Sequence, residues 1–420
     1  MFSFKEAVFS GLAEGGGLFM PQTIPQLPSD FFEHIEKLTF AEIAYEVAHA
    51  FLKDEIPAQK LKSIIEKSLN FPLPLVSIDR NLYSLELFHG PTLSFKDFGA
   101  RFLAHILSYF LEKTKKQLVV LVATSGDTGS AVAASFYQIP NIDVVLLYPK
   151  GKVSFLQEQQ LTTWSKNIGV IEVSGSFDDC QRLVKEAFAD PDLANIRHFT
   201  SANSINIARL LPQLFYYFDA YSKVTCRDLP VVFSVPSGNF GNLTAGLLAK
   251  RMGLPVKKFI AATNKNDVFE RYLKTGVYEP KSSKQTIANA MDVENPNNMP
   301  RILDLYNGDV KKLKNDVWAV SFSDTEIKQA IKDVYKKYGY ILDPHGAVSY
   351  LGLMEYKKQT SEPGCSVFLE TAHPAKFKDT IEEILGIDIP MPKRLIAFSK
   401  KEKHVVQLSN DYSDFKHFLL

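Results

Sequence analysis

The residues best suited to chemistry lie in His89-Gly90-Pro91-Thr92-Leu93-Ser94-Phe95-Lys96-Asp97. Gly90-Pro91 breaks the chain, and Thr92 or Ser94 can cap a helix starting just beyond. Phe98, Phe102, Leu103, Ile106, Leu107 and Phe110 recur at helical spacing and predict a helix over 95–111. Lys96 therefore stands at a turn-to-helix junction, near the positive end of the helix dipole. A cation is unfavourable there, and burial among Leu93, Phe95 and Phe98 adds desolvation. Both effects lower an amine's pKa and expose its lone pair, so Lys96 is a candidate Schiff-base nucleophile. On these nine residues alone, a solvated lysine beside Asp97 is the simpler reading, and the rest of the chain reverses it.

Three other stretches offer anion sites. Thr124-Ser125-Gly126-Asp127-Thr128-Gly129-Ser130 combines hydroxyls with free amides at a helix start, which suits a carboxylate or phosphate. It also contains Asp-Thr-Gly-Ser, the string of an aspartic protease, but that chemistry needs two such aspartates and the chain has one. In Ser237-Gly238-Asn239-Phe240-Gly241-Asn242 the glycines let backbone amides approach a phosphate. It matches no nucleotide-binding glycine motif, and a plain turn is the competing reading. In Asn203-Ser204-Ile205-Asn206-Ile207-Ala208-Arg209, a helix beginning near 204 puts Arg209 just over one turn beyond its polar start. Arginine and cap donors there suit a dianionic phosphate, against the plainer reading of a helix cap with a surface arginine.

The elements that must position these stretches alternate. Residues 1 to about 75 read as a mostly helical part, with helices over 40–52 and 58–69 and a glycine turn at 15–17. Apolar runs at 118–124, 143–148, 169–173, 231–235, 259–262, 317–321 and 366–370 read as strands. Helices fall between them, including 205–221 with room for a kink at Pro212. Strands buried on both faces and alternating with helices predict an α/β chain with open, mostly parallel sheets covered by helices. Ligands of such sheets collect beyond the carboxyl ends of the strands, where the three loops lie. Residues 264–316, rich in Asn, Lys and Pro, read as a loop-heavy lid or insertion.

Composition narrows the function classes. The 420 residues are 45% hydrophobic and 23% charged, with net charge +1, as expected of a soluble globular chain of two or three domains. No basic stripe suggests nucleic acid, and no apolar run is long enough for a membrane span. The three cysteines, Cys180, Cys226 and Cys365, lack metal spacing and read as buried reduced thiols of a cytoplasmic protein. The histidines form no ligand pair, so no metal is expected.

Taken in order, the Lys96 stretch, Ala123-Thr-Ser-Gly-Asp-Thr-Gly-Ser130, Val235-Pro-Ser-Gly-Asn-Phe-Gly-Asn242 and Glu370-Thr-Ala-His-Pro-Ala-Lys376 resemble the threonine synthase family. These are pyridoxal-phosphate enzymes of the tryptophan synthase β fold, fold type II. Lys150-Gly-Lys-Val153, Asn289-Ala-Met-Asp-Val293 and Asn297-Asn298 fit as well, and the likeness is nearest to the long bacterial and fungal branch. Ser94 replaces an expected alanine and Asn242 a common aspartate; neither change removes a catalytic group.

The resemblance implies that Lys96 carries pyridoxal 5'-phosphate and acts as the catalytic base. Gly238, Asn239, Phe240, Gly241 and Asn242 would cradle the cofactor phosphate, and Thr371 would hydrogen-bond the pyridine nitrogen. Ser125, Gly126, Asp127 and Thr128 would take the substrate carboxylate, and Asn203, Ser204 and Arg209 its phosphate. The implied substrate is O-phospho-L-homoserine and the products are L-threonine and phosphate. A threonine dehydratase or phospholyase of the same fold is the alternative, and a silent binding protein the competing class. His89, His373 and Lys376 have both site-lining and purely structural readings, His345 reads as a turn residue, and Asp127 could also touch the cofactor ring hydroxyl. The expected domains are a helical part over 1–80, a smaller α/β domain over 81–200 and a larger one over 201–420, in a monomer.

Overall fold

The structure, a computed structural model, describes residues 1–420 apart from Lys113, Lys115 and Glu362. Its strands are β1 (Leu75–Asp79), β2 (Leu82–Glu86), β3 (Leu118–Ala123), β4 (Ile142–Pro149), β5 (Ile168–Val173), β6 (His198–Ser201), β7 (Val231–Pro236), β8 (Val256–Thr263), β9 (Val317–Ser321), β10 (Cys365–Glu370) and β11 (Val406–Leu408). They form two sheets, β1-β2-β10-β7-β8-β9 and β11-β5-β4-β3-β6. Every pairing is parallel except the β1–β2 hairpin. β3, β7 and β10 are buried along their whole length, as parallel strands covered on both faces require. This is the expected α/β architecture.

One hydrophobic core runs between the sheets. It joins the N-terminal helices Phe40–Leu52 and Ala58–Ser68, the Lys96–Leu111 helix and the Pro212–Lys223 helix to the inner faces of β3, β4, β7 and β8. The outer face of the six-stranded sheet is covered by Asp324–Tyr338 and Pro344–Thr360, that of the five-stranded sheet by Phe177–Ala189 and Tyr412–Leu419. Among the described residues no helix is long and apolar enough to cross a membrane.

Several expectations change. Sheet membership crosses the divisions expected at 80/81 and 200/201: β1 and β2 join the six-stranded sheet, and β11 returns to the five-stranded one. The hairpin escaped the sequence reading because β1 is only partly covered and its turn rests on Asn81 at φ 58°. Residues 264–316 are loop-heavy as expected, above all over 276–298, but they are not loop throughout. They hold helices Val268–Thr275, Met299–Leu305 and Val310–Asp316, and bury Asn264, Asn298 and Arg301. The helix expected over 205–221 is two, Ile207–Leu210 and Pro212–Lys223, because Asn206 caps the first and Pro212 opens the second. Cys226 and Cys365 are not free thiols. Their Cα atoms lie 5.6 Å apart and they form a disulfide, while Cys180 stays free and buried.

Candidate active site

Lys96 is the first residue of its helix, and the turn before it is held in an unexpected way. Neither Thr92 nor Ser94 caps the helix through its side chain. Asp97 folds back instead, accepting from the Thr92 amide at 2.9 Å and the Thr92 hydroxyl at 2.7 Å. Burial pushes the Asp97 carboxyl up to about 6. Gly90 is required here, since a Cβ would lie 2.4 Å from Asp97 Oδ2. The same turn is stitched to the segment after β10. Phe95 N donates to Thr371 O at 2.9 Å, His373 N to Leu93 O at 3.0 Å, and Ser94 pairs with Ala372. Lys96 and Thr371, far apart in sequence, are neighbours by backbone bonding.

The Lys96 ammonium has no hydrogen-bond or ion-pair partner among the described residues, and its Nζ stands 4.8 Å from the Phe95 ring centroid. Desolvation lowers its pKa most. The positive charges of Arg209 and Lys376 lower it further, the Asp127 carboxylate opposes them, and the result is about 8. At pH 7 about one amine in ten is then neutral, some hundreds of times more than for an ordinary lysine. The lone pair that Schiff-base chemistry requires is therefore available.

Asp127 opens the Asp127–Phe136 helix beyond β3. It is buried and locked, accepting from Lys376 Nζ at 2.6 Å and Gln157 Nε2 at 3.0 Å. Burial works to raise its pKa, but the Lys376 charge and these hydrogen bonds outweigh it and hold the carboxyl below its ordinary value. Thr124 Oγ1 accepts from the amides of Gly126 and Gly129, while those of Ser125, Asp127 and Thr128 donate to no described residue. Three free amides at a helix N-terminus suit a carboxylate. Gly126 has φ 135°, and a Cβ there would meet the Gln157 amide at 2.9 Å.

Beyond β7 the chain makes a second cradle. Phe240 takes φ 57° and starts the Gly241–Arg251 helix. The amides of Gly238, Asn239, Phe240, Gly241 and Asn242 donate to no described residue. Ala290 and Met291 lie against Gly238, where a Cβ would come within 2.9 Å of Ala290 O. Asn239 is pinned by Asn297 and Asn298. The Asn242 side-chain oxygen accepts from Tyr216 and Tyr217, each at 2.6 Å, which leaves its buried Nδ2 without a partner.

The third loop follows β6. Asn203 Nδ2 donates to Ala123 O at 2.9 Å and so joins this loop to the end of β3. Ser204 Oγ accepts from Asn298 Nδ2 at 3.2 Å, and that same Nδ2 donates to Asn239 O. Arg209 is buried. Its Nη1 donates to Ala202 O, its Nε has no partner, and desolvation lowers its pKa to about 10. A Cβ on Gly99 would meet Arg209 Nε at 2.9 Å, so the arginine lies against the Lys96 helix. The structure thus brings the Lys96, Thr371, Asp127, Gly238 and Arg209 segments together at the carboxyl ends of the strands.

The ambiguous residues divide. Lys376 belongs to the site through its pair with Asp127. His373 caps the Pro374–Phe377 turn, and His89 bonds Glu86 at 2.7 Å. His345 bonds Asp343 at 2.7 Å. Sequence reasoning missed the Thr92–Asp97 clasp and the bridging roles of Gln157, Asn298 and Arg301. Asp97 was visible beside Lys96, but nothing in the spacing shows that its side chain turns backward.

The donor set suits pyridoxal phosphate. Five amides free of described partners at a helix start suit a phosphate, the Lys96 amine with its lowered pKa suits an aldehyde, and the Thr371 hydroxyl has no described partner. Ser94 Oγ, Arg209 Nε, Asn242 Nδ2 and Glu370 Oε1 are buried polar atoms left without partners around it.

Comparison with known proteins agrees. The model of the pyridoxal-phosphate dependent enzyme family matches residues 69–371. Models of the threonine synthase N terminus and C-terminal region match 1–69 and 347–419. The threonine synthase of Haemophilus influenzae is 45% identical over 419 residues, covering 100% of this chain and 96% of that protein. The crystal structure of threonine synthase from Escherichia coli superposes with a TM-score of 0.92 at 42% identity, covering 100% of this chain and 96% of that one. The structure of pyridoxal-phosphate-bound threonine synthase from Brucella melitensis gives 0.92 at 33% identity with the same coverage.

Proposed function

The chain belongs to the threonine synthase family of pyridoxal-phosphate-dependent lyases, and we infer that it converts O-phospho-L-homoserine and water to L-threonine and phosphate. This is the last step of threonine biosynthesis. The observation that carries the reading is the grouping of three anion sites around one depressed lysine: the Gly238–Asn242 amides, the Ser125–Thr128 amides and the Asn203–Arg209 loop.

When bound, pyridoxal phosphate supplies an electron sink for negative charge developed at the substrate's Cα and Cβ. Gly238, Asn239, Phe240, Gly241 and Asn242 would hold its phosphate, Lys96 would take its aldehyde carbon and Thr371 would bond its ring nitrogen. A neutral hydroxyl at that nitrogen leaves the sink milder than a carboxylate would. The amides of Ser125, Asp127 and Thr128 orient the substrate carboxylate, Gly126 shapes their turn by donating its own amide to Thr124 Oγ1, and Lys376 neutralises the Asp127 charge. Asn203, Ser204 and Arg209 grip the substrate phosphate, Arg209 being braced by Ala202 O on one side. The neutral Lys96 amine takes the protons from the substrate's Cα and Cβ and returns them at Cγ and Cα. Phosphate leaves from Cγ, and water adds its hydroxyl at Cβ while its proton leaves with the phosphate.

Arg209 and Asn203 favour a phosphorylated substrate; a dehydratase has no use for them. Incubation with O-phospho-L-homoserine and, separately, with L-threonine tests the choice. One threonine per phosphate from the first and no 2-oxobutyrate from the second supports the synthase. 2-Oxobutyrate from both identifies a lyase of the same fold. We infer a monomer, which light scattering tests. The reading places the protein in the cytoplasm, since a phosphorylated amino acid does not cross a bilayer unaided, and cell fractionation tests that. The unit built on the five-stranded sheet is read as the one that closes on substrate. An unchanged radius of gyration with a substrate analogue would count against that motion.

A further inference from the structure

A buried acidic cluster lies directly behind Thr371, and the reaction makes no use of it. Glu370 ends β10, and its side chain is fully buried against the start of the Pro344–Thr360 helix. A Cβ on Gly346 would lie only 1.9 Å from Glu370 Oε1. Asp343 caps that helix, accepting from the His345 amide at 2.8 Å and the Gly346 amide at 3.3 Å. Asp343 Oδ1 also bonds His345 Nδ1 at 2.7 Å. The other imidazole nitrogen, Nε2, accepts from the Ala290 amide at 3.2 Å. This fixes the tautomer, with the proton on Nδ1. Ala290 in turn lies on Gly238, in the cradle of free amides.

The chain of contacts therefore runs from Thr371 through Glu370, Asp343, His345 and Ala290 to Gly238. We propose that Glu370, Asp343 and His345 are positioning residues: a buried bracket that sets the spacing between the Thr371 turn and the Gly238 loop, which hold opposite ends of the cofactor. Glu370 Oε2 accepts from the Asp343 amide at 3.4 Å, while Oε1 has no partner among the described residues. Burial and the neighbouring Asp343 carboxylate push the Glu370 pKa well up while Asp343 stays low. The groups facing Glu370 are Asp343 from the helix start, Glu86 from β2 and Tyr340 from the preceding segment. None of them is a cation that would relieve an ionised Glu370. Raising the pH places a second negative charge in the bracket and loosens it.

The proposal rests on the cofactor site, not on the choice of substrate, and its readout is cofactor retention. The dissociation constant of pyridoxal phosphate is measured by absorbance across pH for the wild type, Glu370→Gln, Glu370→Ala and His345→Phe. Circular dichroism of each protein without cofactor serves as the folding control. The neutral, near-isosteric Glu370→Gln should bind like the wild type at neutral pH and should lack the wild type's loss of affinity at alkaline pH. Glu370→Ala and His345→Phe should each weaken binding about tenfold or more, the loss of one bond to an ionised or buried partner. Equal damage from Glu370→Gln and Glu370→Ala would overturn the proposal. So would an unchanged constant in His345→Phe, or an alkaline step that persists in Glu370→Gln. A wrong substrate assignment would leave all of these results as they are.

Discussion

Lys376→Met isolates the electrostatics of the site. The substitution leaves the buried Asp127 carboxylate with Gln157 as its one remaining side-chain donor. At 2.6 Å and an effective dielectric of about 20, the Lys376–Asp127 attraction is about 6 kcal/mol. Desolvation offsets much of that, and removing one partner of a buried pair costs about 3–5 kcal/mol. For a chain of 420 residues the unfolding entropy is about 0.9 kcal/mol/K, so Tm should fall by about 3–6 °C. Asp127→Asn/Lys376→Met restores neutrality and should recover all but about 1 kcal/mol of the loss. Lys96 responds with a definite sign. Lys376 lowers its pKa and Asp127 raises it. Lys376→Met should thus move the pH midpoint of cofactor reconstitution upward, and Asp127→Asn should move it downward. The assay pairs thermal unfolding of the cofactor-free proteins with reconstitution rates across pH 6–10. A double variant that melts at the sum of the two single losses, or midpoints that move together, would refute the coupling.

Other consequences arise from the same contacts. Reconstitution of the wild type with pyridoxal phosphate should speed up about tenfold per pH unit and level off near pH 8, because the neutral Lys96 amine is the reacting form; a flat profile would place its pKa elsewhere. Gly90→Ala sets a Cβ 2.4 Å from Asp97 Oδ2, which should cost about 1–3 kcal/mol and slow reconstitution, read by melting and by absorbance. Cys226→Ser opens a disulfide that closes 139 residues of chain, a constraint of about 5 kcal/mol on the unfolded state. Its Tm should fall by about 6 °C while turnover at 25 °C persists.

The α/β architecture and the position of its loops beyond the strand ends were legible in the sequence. Loops that come after long apolar strands announce themselves: Leu118 to Ala123 is apolar throughout, and the chemistry begins at the next residue. β1, β6 and β11 lie at sheet edges and bury too few residues to show a pattern, so their places depend on partners remote in sequence. Residues 264–316 look polar because their amides are used inward. Asn264 bonds Thr286 and Asp292, and Asn298 bonds Ser204 and Asn239. Composition cannot separate such a buried polar network from a solvated loop. Lys376 shows the same limit. Its spacing after Thr371 put it near the site, but its pairing with Asp127 exists only once β3 and β10 are brought together.

The most direct test of the account is turnover of O-phospho-L-homoserine in oxygen-18 water by the wild type and by Lys96→Ala and Lys96→Arg. If Lys96 drives elimination at Cγ and water adds at Cβ, the wild type gives threonine labelled at its hydroxyl and unlabelled phosphate in equal amounts. Both products then vanish in the two variants. Labelled phosphate would mean cleavage of the phosphorus–oxygen bond, and full threonine production by Lys96→Arg would remove Lys96 from the role of base; either would contradict the account.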